Sequence, residues 1–335
     1  MLETSVAIKP RLAFVGVGWI GRSRMQAAAE SGIATLAAIS DPSPECLQEA
    51  RKIIPFSRVL SFDELIQHPD IDGVVIATPS ALHMEQSVAA LRSGKAVFCQ
   101  KPLGRNYEEV ATVVSAARHA NKLLGADFSY RYTRAFSAIR AVIQSRELGK
   151  IFAADLKFHN AYGPGKPWFY DRVLSGGGCA LDLGIHLLDL LLLALDFPRA
   201  NKIAASLFHK GASLSFGNAV EDYANVLLEL DNDITAHLTC SWNLPVGQGA
   251  VIEISFYGTN GSVSMMNVDG SFYDFAAYRC RGTQKEKLLL PPDNWGGKAL
   301  LDWIENLSVN SSYNSQAEEY LPAAAILDMI YEKAN

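Results

Sequence analysis

The chain has 335 residues, a length that suits two domains of ordinary size. Its 30 Lys and Arg against 35 Asp and Glu leave a net charge of −5, which excludes the strongly basic footprint of a nucleic-acid binder, while 49% hydrophobic and 19% charged residues indicate large buried cores. The most apolar stretch, 181–197, is broken by Asp182, His186, Asp189 and Asp196, so no membrane span is expected, and the N-terminal MLETSVAIKPR lacks a secretory pattern, so a cytoplasmic protein is.

From residue 11 to 128, short apolar runs alternate with helix-length patterns. The runs are LAFVGV (12–17), TLAAIS (35–40), GVVIAT (73–78), AVFCQ (96–100) and LLGADF (123–128), and the helical stretches are 22–31, 44–53, 81–93 and 106–121. Continuous apolar strands separated by helices predict an α/β domain with a doubly wound parallel sheet covered on both faces. After Phe128 the pattern changes. A helix over 134–146 leads into 151–160, where Phe152, Ala154, Leu156 and Phe158 alternate with Asp155, Lys157 and His159, the period of a sheet with one apolar face. Further strands are predicted at 202–209, 223–230, 234–242, 251–257 and 261–266, with turns at 231–233 and 259–261. This half is expected to be α+β with a large, mostly antiparallel open sheet, and the helical composition of 318–333 suits a last helix packing on either domain. The predicted division is 1–128 for the first domain and 129–335 for the second.

Gly16-Val17-Gly18-Trp19-Ile20-Gly21 lies between the first strand and the first helix, where glycines permit a tight turn, close approach of a pyrophosphate and close helix–strand packing. Asp41 ends the second strand 20 residues after Gly21. A carboxylate there accepts from a ribose 2′-hydroxyl and repels a 2′-phosphate, so NAD is expected rather than NADP. Gln100-Lys101-Pro102 follows the strand AVFCQ, at the sheet edge where open α/β folds bind ligands, and Pro102 biases Lys101 toward an extended backbone. Farther on, Gly176-Gly177-Gly178 precede a helical pattern in which Asp182 and His186 share one face. Five cysteines, Cys46, Cys99, Cys179, Cys240 and Cys280, are far apart with no C-x-x-C pair, which suggests reduced thiols and no metal site.

Together these residues resemble the Gfo/Idh/MocA family, the glucose-fructose oxidoreductase and inositol dehydrogenase group. AFVGVGWIGR resembles its phosphate loop, VVIATPSALHMEQSVAALRSGKAVFCQKPLG its central block, GADFSYRYTRAF its domain junction, SGGGCALDLGIHLLD its Asp-x-x-x-His segment, and VEDYANVLLEL and FYGTNGSV its later strands. Gln100 departs from the family's commoner Glu. The resemblance implies an NAD(P)-dependent dehydrogenase or reductase of a secondary alcohol or ketone in a sugar, cyclitol or sugar derivative. Lys101 and Asp182 are then expected at the reacting oxygen, with His186 as the general base or acid. The implied cofactor residues are Gly16, Gly18, Trp19, Ile20, Gly21, Asp41, Thr78, Pro79, His83, Gln100 and Lys101, with Arg22 near the pyrophosphate. The implied substrate residues are Lys101, Arg131, His159, Asn160, Tyr162, Trp168, Asp182 and His186. A homodimer or homotetramer is implied as well. The same family holds dinucleotide-binding regulators without catalysis and redox-assisted glycosidases, which are the competing readings.

Overall fold

The computed structural model describes residues 9–214 and 219–334, and the chain divides into two compact units. The first contains the chain up to Gly104, Glu108–Ser129 and Gly296–Glu318; the second contains Arg105–Tyr107, Tyr130–Trp295 and Glu319 onward. The return of Gly296–Glu318 to the first unit corrects the expectation that everything after Phe128 forms the second.

The first unit runs β1 (Arg11–Val15), α1 (Trp19–Ser31), β2 (Thr35–Ser40), α2 (Pro44–Ile53), β3 (Arg58–Val59), α3 (Phe62–Gln67), β4 (Gly73–Ile76), α4 (His83–Arg92), β5 (Ala96–Cys99), α5 (Tyr107–Ala120) and β6 (Leu124–Ala126). All six strands are parallel in the order β3-β2-β1-β4-β5-β6, the doubly wound arrangement, whose winding reverses between β1 and β4. Strands β4 and β5 are buried along their whole length, as sheets covered on both faces require. Local chemistry sets the helix starts. Ser43 accepts a hydrogen bond from the Cys46 N–H (3.2 Å) with Pro44 in the first turn of α2, and Ser61 and Glu64 form a capping box on α3. The pair β3 and α3 was not predicted, because neither is long enough to show a period.

The second unit runs α6 (Arg134–Gln144), β7 (Ile151–Asn160), α7 (Arg172–Ser175), a π-helical turn (Ala180–Gly184), α8 (Ile185–Ala194), β8 (Ala200–His209), β9 (Ala212–Ser213), β10 (Tyr223–Leu230), β11 (Ile234–Ser241), β12 (Ala250–Gly258), β13 (Gly261–Asn267), β14 (Phe275–Arg281) and β15 (Gln284–Leu289). After α9 (Lys298–Val309), which belongs to the first unit, α10 (Tyr320–Lys333) closes the second. The nine strands follow the order β15-β14-β13-β12-β7-β11-β10-β8-β9, and every pair is antiparallel except β7 with β11. The strands alternate as their sequence alternates: Ala154, Leu156 and Phe158 are buried in register with Ala236, Leu238 and Cys240 and with Phe256, Ile254 and Ile252. Helices α6, α8 and α10 pack on this apolar face. Segment Arg172–Ala194 is long and apolar enough in composition to cross a membrane, yet 89% of its apolar window is buried inside the second unit, where it is a core helix.

Candidate functional site

In the first unit the ligand-binding features gather at the carboxyl edge of the sheet. Gly16 has φ +81°, and a Cβ there would lie 2.6 Å from the backbone of Ala77 at the end of β4; a Cβ on Gly21 would lie 2.1 Å from the Gly16 carbonyl oxygen. Both positions therefore need glycine, and the loop lies flat against β4. Helix α1 starts at Trp19, after Gly18, with no side chain capping its first N–H groups. That leaves the uncapped amides and the positive end of the helix dipole available to an anion. Trp19 is exposed and Ile20 half-buried at this helix start. The Asp41 carboxylate accepts from the Val17 N–H (2.8 Å) and the Ser43 N–H (2.9 Å), one bond per oxygen. Each oxygen keeps a further lone pair for a ribose hydroxyl. Arg22 donates to the Val17 carbonyl at 2.9 Å, which brings it to this loop. The residues present fit a dinucleotide.

Beside the loop, the Thr78 hydroxyl donates to Gln86 (2.7 Å), and Pro79 leads into the turn before α4. His83 was expected among the cofactor residues. It is instead enclosed, 1% exposed, with Nδ1 2.7 Å from the Pro102 carbonyl and Nε2 2.8 Å from the Thr78 carbonyl. It ties two edge loops together and has no ring atom left for a ligand; burial pulls its imidazole below the usual range. Lys101 is half-buried directly after β5. Gln100, at its side, is buried in a polar cluster: its amide donates to Asp127, whose carboxylate also takes Arg24 Nε (2.5 Å) and the Ser129 hydroxyl, while Arg24 donates to Ser129 at 2.9 Å.

In the second unit the polar centre is the turn that joins Gly178 to α8. Asp182 sits in the π-helical turn and His186 in the first turn of α8. Single π turns widen a helix and recur where a side chain must be aimed at a ligand. The Asp182 carboxylate accepts from the Trp242 indole N–H at 3.1 Å. His186 lies edge-on to Tyr130 (ring centroids 4.7 Å, 74°) and tilted against Phe158 (6.4 Å). Trp242 in turn is met by Tyr170 (5.6 Å) and Phe169 (6.4 Å). One acid and one imidazole thus stand among aromatic rings. Such walls suit the apolar C–H faces of a sugar ring.

Glu221 makes this turn possible, and the sequence pattern did not single it out. Its buried carboxylate accepts from the N–H groups of Gly178 (3.0 Å) and Ala180 (2.9 Å) and from the Tyr331 hydroxyl (2.9 Å). Burial pushes this carboxyl above its usual range despite those donors. A Cβ on Gly178 would lie 1.9 Å from the Glu221 carbonyl oxygen, and one on Gly177 would lie 2.0 Å from the Tyr331 hydroxyl. The glycine run is a packing requirement of the turn.

The remaining expected substrate residues separate. Asn160, at the end of β7, follows Phe158 on the helix-covered face, and its Oδ1 is buried with no hydrogen-bond partner. His159 points to the opposite face. There it stacks on Tyr223 (6.0 Å), bonds Ser241 (2.8 Å), and has its imidazole lowered to about 4 by burial and then by Lys157. The two-residue period of a strand puts His159 and the His186-facing Phe158 on different faces, which corrects its assignment. Arg131 is likewise corrected. Its guanidinium grips Asp189 through two bonds (2.8 and 2.6 Å) and Glu319 through a third (2.7 Å), a structural ion network. Tyr162 is exposed beside Phe272 (5.9 Å), and Trp168 stacks on Phe169 at 3.8 Å, next to the residue that meets Trp242.

A family model described as an oxidoreductase family with an NAD-binding Rossmann fold matches residues 10–128, and one for the GFO/IDH/MocA C-terminal domain matches residues 136–264. Over 150 residues the chain is 38% identical to a 1,5-anhydro-D-fructose reductase of Ensifer adhaerens, covering 44% of this chain and 45% of that protein. It is 28% identical over 205 residues to a D-glucoside 3-dehydrogenase of Escherichia coli, 58% of each chain. The chain therefore spans about half the length of these two relatives. Against a glucose-6-phosphate 3-dehydrogenase of Bacillus subtilis the identity is 24% with 96% of each chain covered. Among solved structures, a 3-ketoreductase from Actinomadura kijaniata in complex with NADP and TDP-benzene gives a TM-score of 0.83 at 21% identity, covering 97% of this chain and 98% of that one. Levoglucosan dehydrogenase in complex with NADH and levoglucosan gives 0.81 at 22%, covering 97% of each chain. At those identities the likeness is one of fold.

Proposed function

Because the chain belongs to the Gfo/Idh/MocA oxidoreductase family, we propose that it transfers hydride between a nicotinamide dinucleotide and a secondary alcohol or ketone of a sugar, cyclitol or sugar derivative. The observation that carries this reading is the Asp182 and His186 pair held among aromatic rings in a chain whose other unit offers an uncapped glycine loop. Relatives named for glucosides, anhydrofructose, levoglucosan and inositol support the substrate class. The donors of Asp41 and the run Pro42-Ser43-Pro44, with no Arg after it, support NAD over NADP.

NAD, when bound, would supply the hydride acceptor for oxidation and, in its reduced form, the hydride donor for reduction. Hydride departs from a carbinol carbon only as the hydroxyl proton is removed, and His186 takes that proton in oxidation and restores it in reduction. Lys101 supplies an ammonium that stabilises the developing alkoxide. Asp182, oriented by Trp242, polarises the same hydroxyl. The protein is proposed to act in the cytoplasm as a homodimer or homotetramer.

The test is to incubate the protein with NAD or NADP and a panel of sugars and cyclitols, following reduced-nucleotide absorbance and product mass. Net formation of NADH with an oxidised product is expected, and His186→Ala should lower kcat by about 10²–10⁴-fold. An altered sugar without net NADH would indicate the redox-assisted glycosidase chemistry; nucleotide binding alone would indicate a regulator. A preference for NADP would overturn the role given to Asp41.

A further inference from the structure

Tyr130 belongs to no part of the chemistry described above, yet it stands closest in kind to it. It lies in the turn Ser129–Tyr132 and is 9% exposed. Five rings surround one another here: Tyr130 meets His186 edge-on at 4.7 Å, Trp295 at 5.0 Å, Phe275 at 5.6 Å and Phe158 at 6.0 Å. The ring is thus fixed from several sides. Its hydroxyl, by contrast, makes no hydrogen bond to another described residue, nor is that oxygen sealed from solvent as Asn160 Oδ1 is. Phenols buried this deeply ordinarily find a partner. Burial, then the neighbouring Tyr273 and Asp182, push the phenol far above its usual range, so it remains a neutral O–H donor throughout neutral pH. The adjacent Arg131 is held by Asp189 and Glu319.

We propose that the Tyr130 hydroxyl is a substrate-contacting group of the His186 site, donating a hydrogen bond to an oxygen of the sugar or cyclitol next to the carbon that reacts. The inference rests on the proposed function and adds a residue to it. The rigid aromatic setting means that the O–H is aimed before substrate arrives, so little ordering is lost on binding. As a donor that does not ionise, it favours an oxygen gaining negative charge over one that does not.

The full-length Tyr130→Phe variant removes only the oxygen. If the hydroxyl serves substrate, the free variant melts at the wild-type temperature or above it, because a hydroxyl bonded to no other described residue adds no protein hydrogen bond to the folded state. The rise in melting temperature on adding NAD with myo-inositol, glucose or a methyl glucoside should shrink, and kcat/KM should fall by about tenfold for whichever of these is turned over. A lower melting temperature of the free variant would make the hydroxyl structural and overturn the proposal. Equal ligand shifts and equal kcat/KM in a responsive wild type would overturn it as well. A wild type unresponsive to every polyol, while binding NAD, would instead remove the sugar reading and this contact with it.

Discussion

Gln100 shows how much one residue's identity depends on neighbours that are distant in the chain. Its amide donates to Asp127, and that carboxylate is already paired with Arg24 and bonded by Ser129, all four side chains being buried. One cation is balanced by one anion. A Glu at position 100 would set a second carboxylate against Asp127 with no second cation, and both burial and the like charge would raise its pKa. The folded state would then hold a proton that the unfolded state releases, so stability relative to wild type falls as pH rises. Gln100→Glu is expected to lose about 2 kcal/mol at pH 8, and less near pH 5, in denaturant melts. A constant difference across that range would show that the new carboxylate is not strained by Asp127. The departure from the family's commoner residue thus has a physical cause at Asp127, a residue invisible as a partner in the sequence because it lies on the next strand connection.

At the scale of elements, the turn before α8 matters most. Seen as sequence it is three glycines and a polar pair four apart; in the fold it is a π turn whose first amides are held by Glu221 and whose glycines make room for Glu221 and Tyr331. Replacing Glu221 by Ala strands two buried N–H donors and the Tyr331 hydroxyl and is expected to cost about 3 kcal/mol. Glu221→Gln keeps the Oε1 that accepts all three donors and should stay within about 1 kcal/mol of wild type. The raised Glu221 carboxyl means that wild-type stability contains a penalty that appears as pH climbs above the ordinary carboxyl range through the folded value, and the Gln variant should lack that slope. Equal pH slopes for the two proteins in thermal melts would refute the assignment. Elements with a strong period were legible. Strands β2, β7 and β10 and helix α2 occupy the expected residues, because apolar alternation and the Ser43-Pro44 start are local signals. Strands β14 and β15 were not, since Arg279, Arg281, Lys285 and Lys287 interrupt any apolar face; Arg279 is paired with Glu147 and Glu286, and Arg281 with Glu147.

For the whole molecule, the first unit is assembled from separate parts of the chain. Helix α9 packs on α1, β5 and β6, and Trp303 lies over Gly73 and Gly125, where a Cβ would come within 2.7 and 2.6 Å of its ring, and against Phe98 at 5.8 Å. A fragment ending at Ser129 leaves this surface bare, so it should melt well below the full chain and bind NAD weakly; joining residues 296–318 to it through a flexible linker should restore both. Equal melting temperatures with and without that segment would show α9 to be dispensable. The parallel domain and the place of the glycine loop with Asp41 at the ends of its first two strands were legible in the sequence alone, since each depends on local periodicity or turn geometry. Tertiary structure alone decided that His159 faces away from His186, that Arg131 and His83 are spent on Asp189, Glu319 and two carbonyls, that Glu221 holds the turn before α8, and that Tyr130 stands beside the imidazole. The physical reason is common to all of them: a side chain's use is set by which donors, acceptors and rings surround it after burial, and these come from other elements, 19 positions away for Pro102 on His83 and 188 for Glu319 on Arg131.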